Sequence, residues 1–206
     1  MLIGGVMRLY SYKALQVSST GKAEEAGTRE EGRVGFEASR RMAIYHFKLS
    51  MVPREYFELR GLPTPSVLSE EEQDRGETEG VGWWARRQPS PNVLAQLRSL
   101  CPYDQSWAES EKYATSHHSD IQIWKGEGRV WAVAFRFSLN IGEYPLLDKF
   151  VTIAHDENCL LLEGVTRALF EPDGAIVAEH LNNSRAMHFA RDPKSALIEA
   201  AKNTPQ

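Results

Sequence analysis

The sequence predicts an α+β fold: an antiparallel sheet with helices on one face, in ferredoxin-like (split βαβ) order with C-terminal additions. Three observations lead there. Residues 119–139 read as a β-hairpin. Helical apolar spacing flanks that hairpin, starting at Ser90 and at Pro145. One strand pattern precedes the first helix, and another follows the second.

The hairpin is the clearest signal. Trp131, Val133, Phe135, Phe137 and Leu139 fall on alternate positions, against Val130, Ala132, Ala134, Arg136 and Ser138. Period-two alternation of large apolar residues marks a strand with one heavily buried face. The small Ala132 and Ala134 predict partial packing on the second face as well. Ile121 and Ile123 share a face on the preceding strand, with Gln122 and Trp124 opposite. The link Lys125-Gly126-Glu127-Gly128 supplies the positive-φ freedom of a tight reversal.

The chain begins differently. Residues 18–41 hold no periodic apolar pattern, and residues 22–33 are mostly Gly, Glu, Ala and Arg. Such a stretch cannot bury enough surface to offset its ordering entropy. Residues 1–41 are therefore expected to be a disordered tail or a mis-assigned start, with Met42 the natural first residue. The strand pattern that begins directly at Met42 favours the second expectation. Residues 42–206 are expected to form a single α+β domain.

Residues 43–49 alternate and read as the first strand, with Tyr45, Phe47 and Leu49 inward and His46 on the other face. Pro53 opens a short helix or turn over residues 52–59, and residues 61–65 break regular structure. Residues 69–80 contain six acids (Glu70, Glu71, Glu72, Asp74, Glu77 and Glu79) and one base, Arg75. This composition reads as a solvated loop. Trp83 and Trp84 follow. Adjacent side chains on a strand point to opposite faces, so at least one of the two is expected to be exposed or to cover a loop.

Ser90 and Pro91 open a helix as cap and first residue, with Val93, Leu94, Leu97 and Leu100 on its inner stripe. Residues 103–118 are read as partly helical. After the hairpin, Pro145 starts a helix with Leu146, Leu147, Phe150, Val151 and Ala154 on one face. Residues 159–162 are a wholly apolar run, read as a central strand that residues 165–170 extend or follow. Residues 175–181 are expected to be helical, with Ile176, Val177, His180 and Leu181 on one side. Residues 186–190 are read as one more strand, and Asp192-Pro193 as the cap of a last helix over 194–202.

The charge balance limits the function classes. The chain carries a net −4, and residues 1–41 hold seven Lys/Arg and five Asp/Glu, which leaves the remainder at −6. An acidic body with scattered basic residues argues against nucleic acid as a partner. No apolar run reaches about 18 residues, so no membrane-spanning helix is expected. Without a convincing signal peptide, a cytoplasmic location is expected. Two cysteines, Cys101 and Cys159, are too few for a disulfide framework or a zinc site and read as buried thiols.

No catalytic motif stands out. His117-His118 with Asp120 is the most metal-like cluster, but neighbouring histidines on a strand diverge. His155-Asp156-Glu157 reads as a helix end whose histidine answers the dipole. Ser184, His188 and Asp192 are spaced by four, yet triad members usually come from separate elements, and Asp192 has a better role as a cap. Asn182-Asn183-Ser184 fits a glycosylation pattern that means little without a secretory signal, and Gly126-Glu127-Gly128 lacks the third glycine and following helix of a dinucleotide site. No metal and no cofactor are expected.

The reading drawn from these features is a non-catalytic protein-binding module, comparable at class level to a small acidic bacterial immunity protein or antitoxin that masks a basic toxin. Its candidate partner contacts are Glu70, Glu71, Glu72, Asp74, Trp83 and Trp84. The competing explanation is that the acidic stretch only confers solubility. The alternative function is a small enzyme with a site assembled from distant residues, with His46, His117, His155 and Glu163 as first candidates. A third is a homodimer formed through the sheet face where Ala132 and Ala134 allow close approach.

A chain beginning at Met42 is expected to melt within about 2 °C of the full chain in a calorimetric scan, the shift that roughly 1 kcal/mol produces in a domain of this size. A drop several times larger would show that the first 41 residues pack on the body.

Overall fold

The computed structural model describes residues 46–78, 80–104, 110–139 and 143–196. The strands are β1 (His46–Pro53), β2 (Tyr103–Asp104), β3 (Ser110–Ala114), β4 (Asp120–Gly126), β5 (Arg129–Ser138), β6 (Cys159–Glu163) and β7 (Leu169–Phe170). The helices are α1 (Glu55–Glu58), α2 (Glu70–Gly76), α3 (Pro91–Leu100), α4 (Tyr144–Asp156), α5 (Gly174–Asn183) and α6 (Arg185–Arg191). Residues 1–45, including Met42 and Tyr45, lie outside the described residues. No helix among the described residues is long and apolar enough to cross a membrane.

The α+β class holds, with all seven strands in one antiparallel sheet of order β2-β3-β4-β5-β1-β6-β7. That order differs from the four-stranded ferredoxin-like sheet expected from sequence. Strands β2 and β3 lengthen one edge and β7 the other. The first two were read as partly helical because they are short and polar, and their face pattern spans too few residues to register as period two.

The hairpin forms as its alternation requires. Ile121 pairs with Phe135 and Ile123 with Val133, and all four are inaccessible. Its loop is Glu127-Gly128, both with positive φ (51° and 79°), the pattern of a two-residue hairpin connection. A bulge between Trp124 and Lys125 shifts the register. Trp131 therefore does not join the core row as expected. It is half-buried and lies against Trp124, with ring centroids 5.5 Å apart.

Register places Phe47 beside Phe137 and Leu49 beside Phe135. This apolar face carries α3, α4 and α5. Phe150 of α4 stacks on Phe135 at 4.8 Å, and α3 packs on α4. Ser90 caps α3 through a hydrogen bond from Val93 N to its Oγ, and Asp173 caps α5 by accepting from Ala175 and Ile176 N. Residues 186–190 belong to α6, not to a strand: Ser184 Oγ accepts from Met187 N and starts the helix. Strand β6 is bonded on both sides, by β1 and β7.

Helices do not keep to one face. Lys48 points away from the Phe47 and Leu49 row, and its Nζ donates to Glu77 just beyond α2 at 2.9 Å. Helix α2 and residues 77–78 and 80–88 cover this second face. Ser50, Ala132 and Ala134 there are only 2%, 5% and 4% exposed. The face proposed for self-association is thus buried within the chain.

Phe135→Ala is expected to cost about 3–5 kcal/mol, as buried phenylalanine truncations do. Urea denaturation is the measurement, and a loss below about 1 kcal/mol would contradict the packing against Phe150.

Candidate functional site

Glu70–Gly76 of the acidic stretch form a helix with a locked inner face, and Glu79 lies outside the described residues. Ser69 supplies the N-cap, its Oγ accepting from Glu72 N at 3.1 Å, and Glu70, Glu71 and Glu72 occupy the first turn, where negative charge suits the dipole. The pattern Ser-x-x-Glu at residues 69–72 is the signal that could have found this helix from sequence. Glu72 does not close a capping box with its side chain. Its carboxylate accepts from Tyr56 OH at 2.5 Å and pairs with Arg60, whose guanidinium also donates to Tyr56 OH at 2.7 Å.

This cluster has defined electrostatics. Burial, reinforced by the Glu72 carboxylate, pushes the Tyr56 phenol up to about 12. Burial alone would raise Glu72, but the hydrogen bonds from Tyr56 and Arg60 outweigh it and hold the carboxyl below its ordinary value.

Trp83 and Trp84 are 2% and 0% exposed, so neither is a surface anchor. The expectation failed because these residues lie in a run of turns, where neighbouring side chains need not alternate. Trp83 N donates to Gly76 O at 2.9 Å, and Trp84 N to Trp131 O at 3.4 Å. The Trp83 ring meets Tyr56 edge-on at 4.8 Å. A Cβ at position 76 would lie 2.0 Å from the Trp83 ring, so the close of α2 requires glycine. The two indole N–H groups meet no acceptor among the described residues, so the pair stabilises the cap by packing.

Of the six sequence candidates, Glu70, Glu71 and Asp74 remain on the surface, Glu72 is half-buried, and Trp83 and Trp84 are internal. Glu70 and Glu71 side chains are 82% and 86% exposed, with Arg167 and Arg75 at 3.6 Å. Exposed pairs of that length contribute little.

The histidine candidates do not converge. His46 Nε2 sits 3.1 Å from His118 O, in the turn that also carries His117. Asp120, 2% exposed, is held by Arg136 through Nε at 3.0 and 2.9 Å and Nη2 at 2.5 Å. His155 is exposed beside Asp156. Glu157 is a structural tie: it accepts from Ser90 N and Oγ, each at 3.1 Å, and from Arg87. Ser184, His188 and Asp192 form no triad, since Ser184 caps α6 and donates to Leu181 O, while Asp192 accepts from Ser195 N. Both cysteines are buried, and burial raises their thiols, Cys101 to about 12. Among the described residues no three His, Cys, Asp or Glu side chains converge to hold a metal.

One pairing was missed. Glu163, 3% exposed, accepts from Thr166 Oγ1 at 2.6 Å and faces His180 Nδ1 at 3.6 Å, and the imidazole stacks on Phe170 at 3.9 Å. Its signal was the place of His180 on the inner stripe of α5, beside Val177 and Leu181.

Gly76→Ala is expected to destabilise the chain by about 2 kcal/mol or more, the range of overpacked cores. The penalty should fall by about 1 kcal/mol or more in a Trp83→Leu background, since the two positions are in contact. Additive losses in a urea double-mutant cycle would refute this steric fit. No protein-family model, curated protein or solved structure matches the chain.

Proposed function

We propose that this chain is a non-catalytic protein-binding module that presents the outer face of α2 to a basic protein partner. One observation carries the reading: Glu70, Glu71 and Asp74 project from a helix whose inner side is fixed by Ser69, by the Tyr56–Glu72–Arg60 cluster and by the seat of Trp83 on Gly76. Charges on a preorganised support lose little conformational freedom when a partner docks. Complementary charge then acts mainly on the rate of encounter. An immunity protein or antitoxin that masks a basic toxin site is the kind of module this describes, by analogy of class alone.

The fold reading behind this proposal is that the inner strands β4-β5-β1-β6 are a split βαβ unit. In support, the chain runs from β1 through α3 and the edge strands β2 and β3 to β4, which lies beyond β5, and through α4 from β5 past β1 to β6.

A second reading, a small enzyme, is favoured by Glu163 and His180. A buried carboxylate beside a half-buried imidazole is a pairing suited to proton transfer.

The test is affinity capture on the wild-type chain and on the variant Glu70→Lys/Glu71→Lys/Asp74→Lys. Surface plasmon resonance with the captured partner should show association slowed by about tenfold or more at low salt, with the difference shrinking as salt screens the charges. Equal association rates would place the contact elsewhere. A cellular effect lost in Glu163→Gln with partner binding intact would favour the enzyme.

A further inference from the structure

We infer that α2 is an acid-operated catch: carboxylates pin it to the body at both ends, and their protonation releases it while the sheet stays folded. The catch belongs to the free chain and does not depend on the protein-binding reading.

Helix α2 reads Glu-Glu-Glu-Gln-Asp-Arg-Gly, without one apolar side chain, and Gly76 is its one buried residue. Seven residues give it little helical stability of their own. Helices α3, α4 and α5 differ, since each buries an apolar stripe. Apart from the seat of Trp83 on Gly76, α2 is therefore held by polar links. Near its start Glu72 accepts from Tyr56 OH at 2.5 Å and pairs with Arg60. Just past its end Glu77 pairs with Lys48 of β1 at 2.9 Å. Glu72 and Glu77 side chains are 21% and 32% exposed, so water screens these pairs less than that of Glu70, 82% exposed and 3.6 Å from Arg167. Gln73 adds a long neutral link, from Nε2 to Gly164 O at 3.4 Å.

The groups that face Glu72 are Tyr56 and Arg60, from α1 and the turn after it, and Arg75 on its own helix. Lys48 faces Glu77. Burial would raise Glu72, but the donors Tyr56 and Arg60 hold it below the ordinary carboxylate value. Its contribution is thus complete above the ordinary range and is lost as pH falls through the lowered value. A neutral carboxyl leaves the guanidinium of Arg60 and the ammonium of Lys48 without their counter-charges. Water then solvates all of these groups better than the closed helix does. The rest of the body keeps its apolar rows, and Glu111 ties the β3 edge down to about pH 2. Release removes the fixed support under Glu70, Glu71 and Asp74.

The test is an acid titration of the full chain followed by amide NMR. The amides of Glu72, Gln73 and Glu77, bonded within α2 and its cap, report the catch, and those of Ile121 and Phe135 report the sheet. The α2 signals should leave their helical positions in a separate step, below the ordinary carboxylate range, while Ile121 and Phe135 keep theirs. Tyr56→Phe leaves a ring against Trp83 and removes one donor. It should move the step upward by about one pH unit, the size that a hydrogen bond to a charged group produces. Glu72→Gln carries no charge at neutral pH and should cut amide protection in α2 about tenfold or more there, with β5 unchanged. Glu70→Gln/Glu71→Gln alters the charge at the helix start without touching either pin and should leave the step in place. One shared transition for α2 and the sheet would overturn the catch, as would an α2 that stays closed throughout the titration. So would an unmoved step in Tyr56→Phe, full α2 protection in Glu72→Gln, or a step that Glu70→Gln/Glu71→Gln moves as far as Tyr56→Phe does. The protein-binding reading is decided separately, by the charge-reversed α2 variant.

Discussion

The second face of the sheet depends on one steric fit, the indole of Trp83 in the space that a side chain at residue 76 would fill. The fit draws the end of α2 and the turn run after it onto the strands. Trp83 then packs on Tyr56, and Tyr56 reaches Glu72, so a single contact aligns two short helices that have little stability of their own. Beneath them the sheet offers small residues, Ser50, Ala132 and Ala134, where larger ones would compete for the same space. The central strands are consequently buried on both sides. The pattern of large residues on one face and small ones on the other is the cause.

Polar groups at the rim follow a different logic. The carboxylates Glu72, Asp120 and Glu157 are each answered by an arginine, as charge drawn inward requires. Glu157 joins the end of α4 to the cap of α3 and takes Arg87 as counter-ion. Glu111 on β3 would be raised by burial, but donors from Arg98, Lys125 and Tyr113 bring it to about 2. The contribution of that cluster is complete above the ordinary carboxylate range and fades as pH falls toward 2, because only the unfolded chain binds the proton readily there. These ties fix α3 against the sheet edge without any motif visible in the sequence.

Legibility followed the length and repetition of each pattern. Strand β5 and helix α4 repeat their period several times, so their faces could be read residue by residue. Strands β2 and β3 were lost because two and five residues of mixed polarity carry no periodic signal. Helix α2 was hidden by its charge: an acidic run looks solvated, and only the serine three residues before Glu72 betrayed a cap. Residues 186–190 offered strand-like alternation, but Ser184 at their head decided for helix. The site was legible in part. The carboxylates Glu70, Glu71 and Asp74 lie where an acidic surface was expected, whereas the tryptophans beside them went inward. Glu163 and His180 come together only through the crossing of α5 over β6, a distance relation that no local pattern encodes.

The sheet's order also carries a consequence for synthesis. Strand β1 sits between β5 and β6, and Phe47 lies opposite Phe137, ninety positions later in the chain. At a translation rate of about 5–20 residues per second the first strand waits roughly 5–20 s for its neighbour to be made. Throughout that interval a strand bearing Phe47, Leu49, Met51 and Val52 has both its edges unpaired, a state open to association with other chains. The β4–β5 hairpin, by contrast, closes on microseconds once its turn is made. Strand β1 then docks on β5, and β6 and β7, made later still, complete the sheet on its other side.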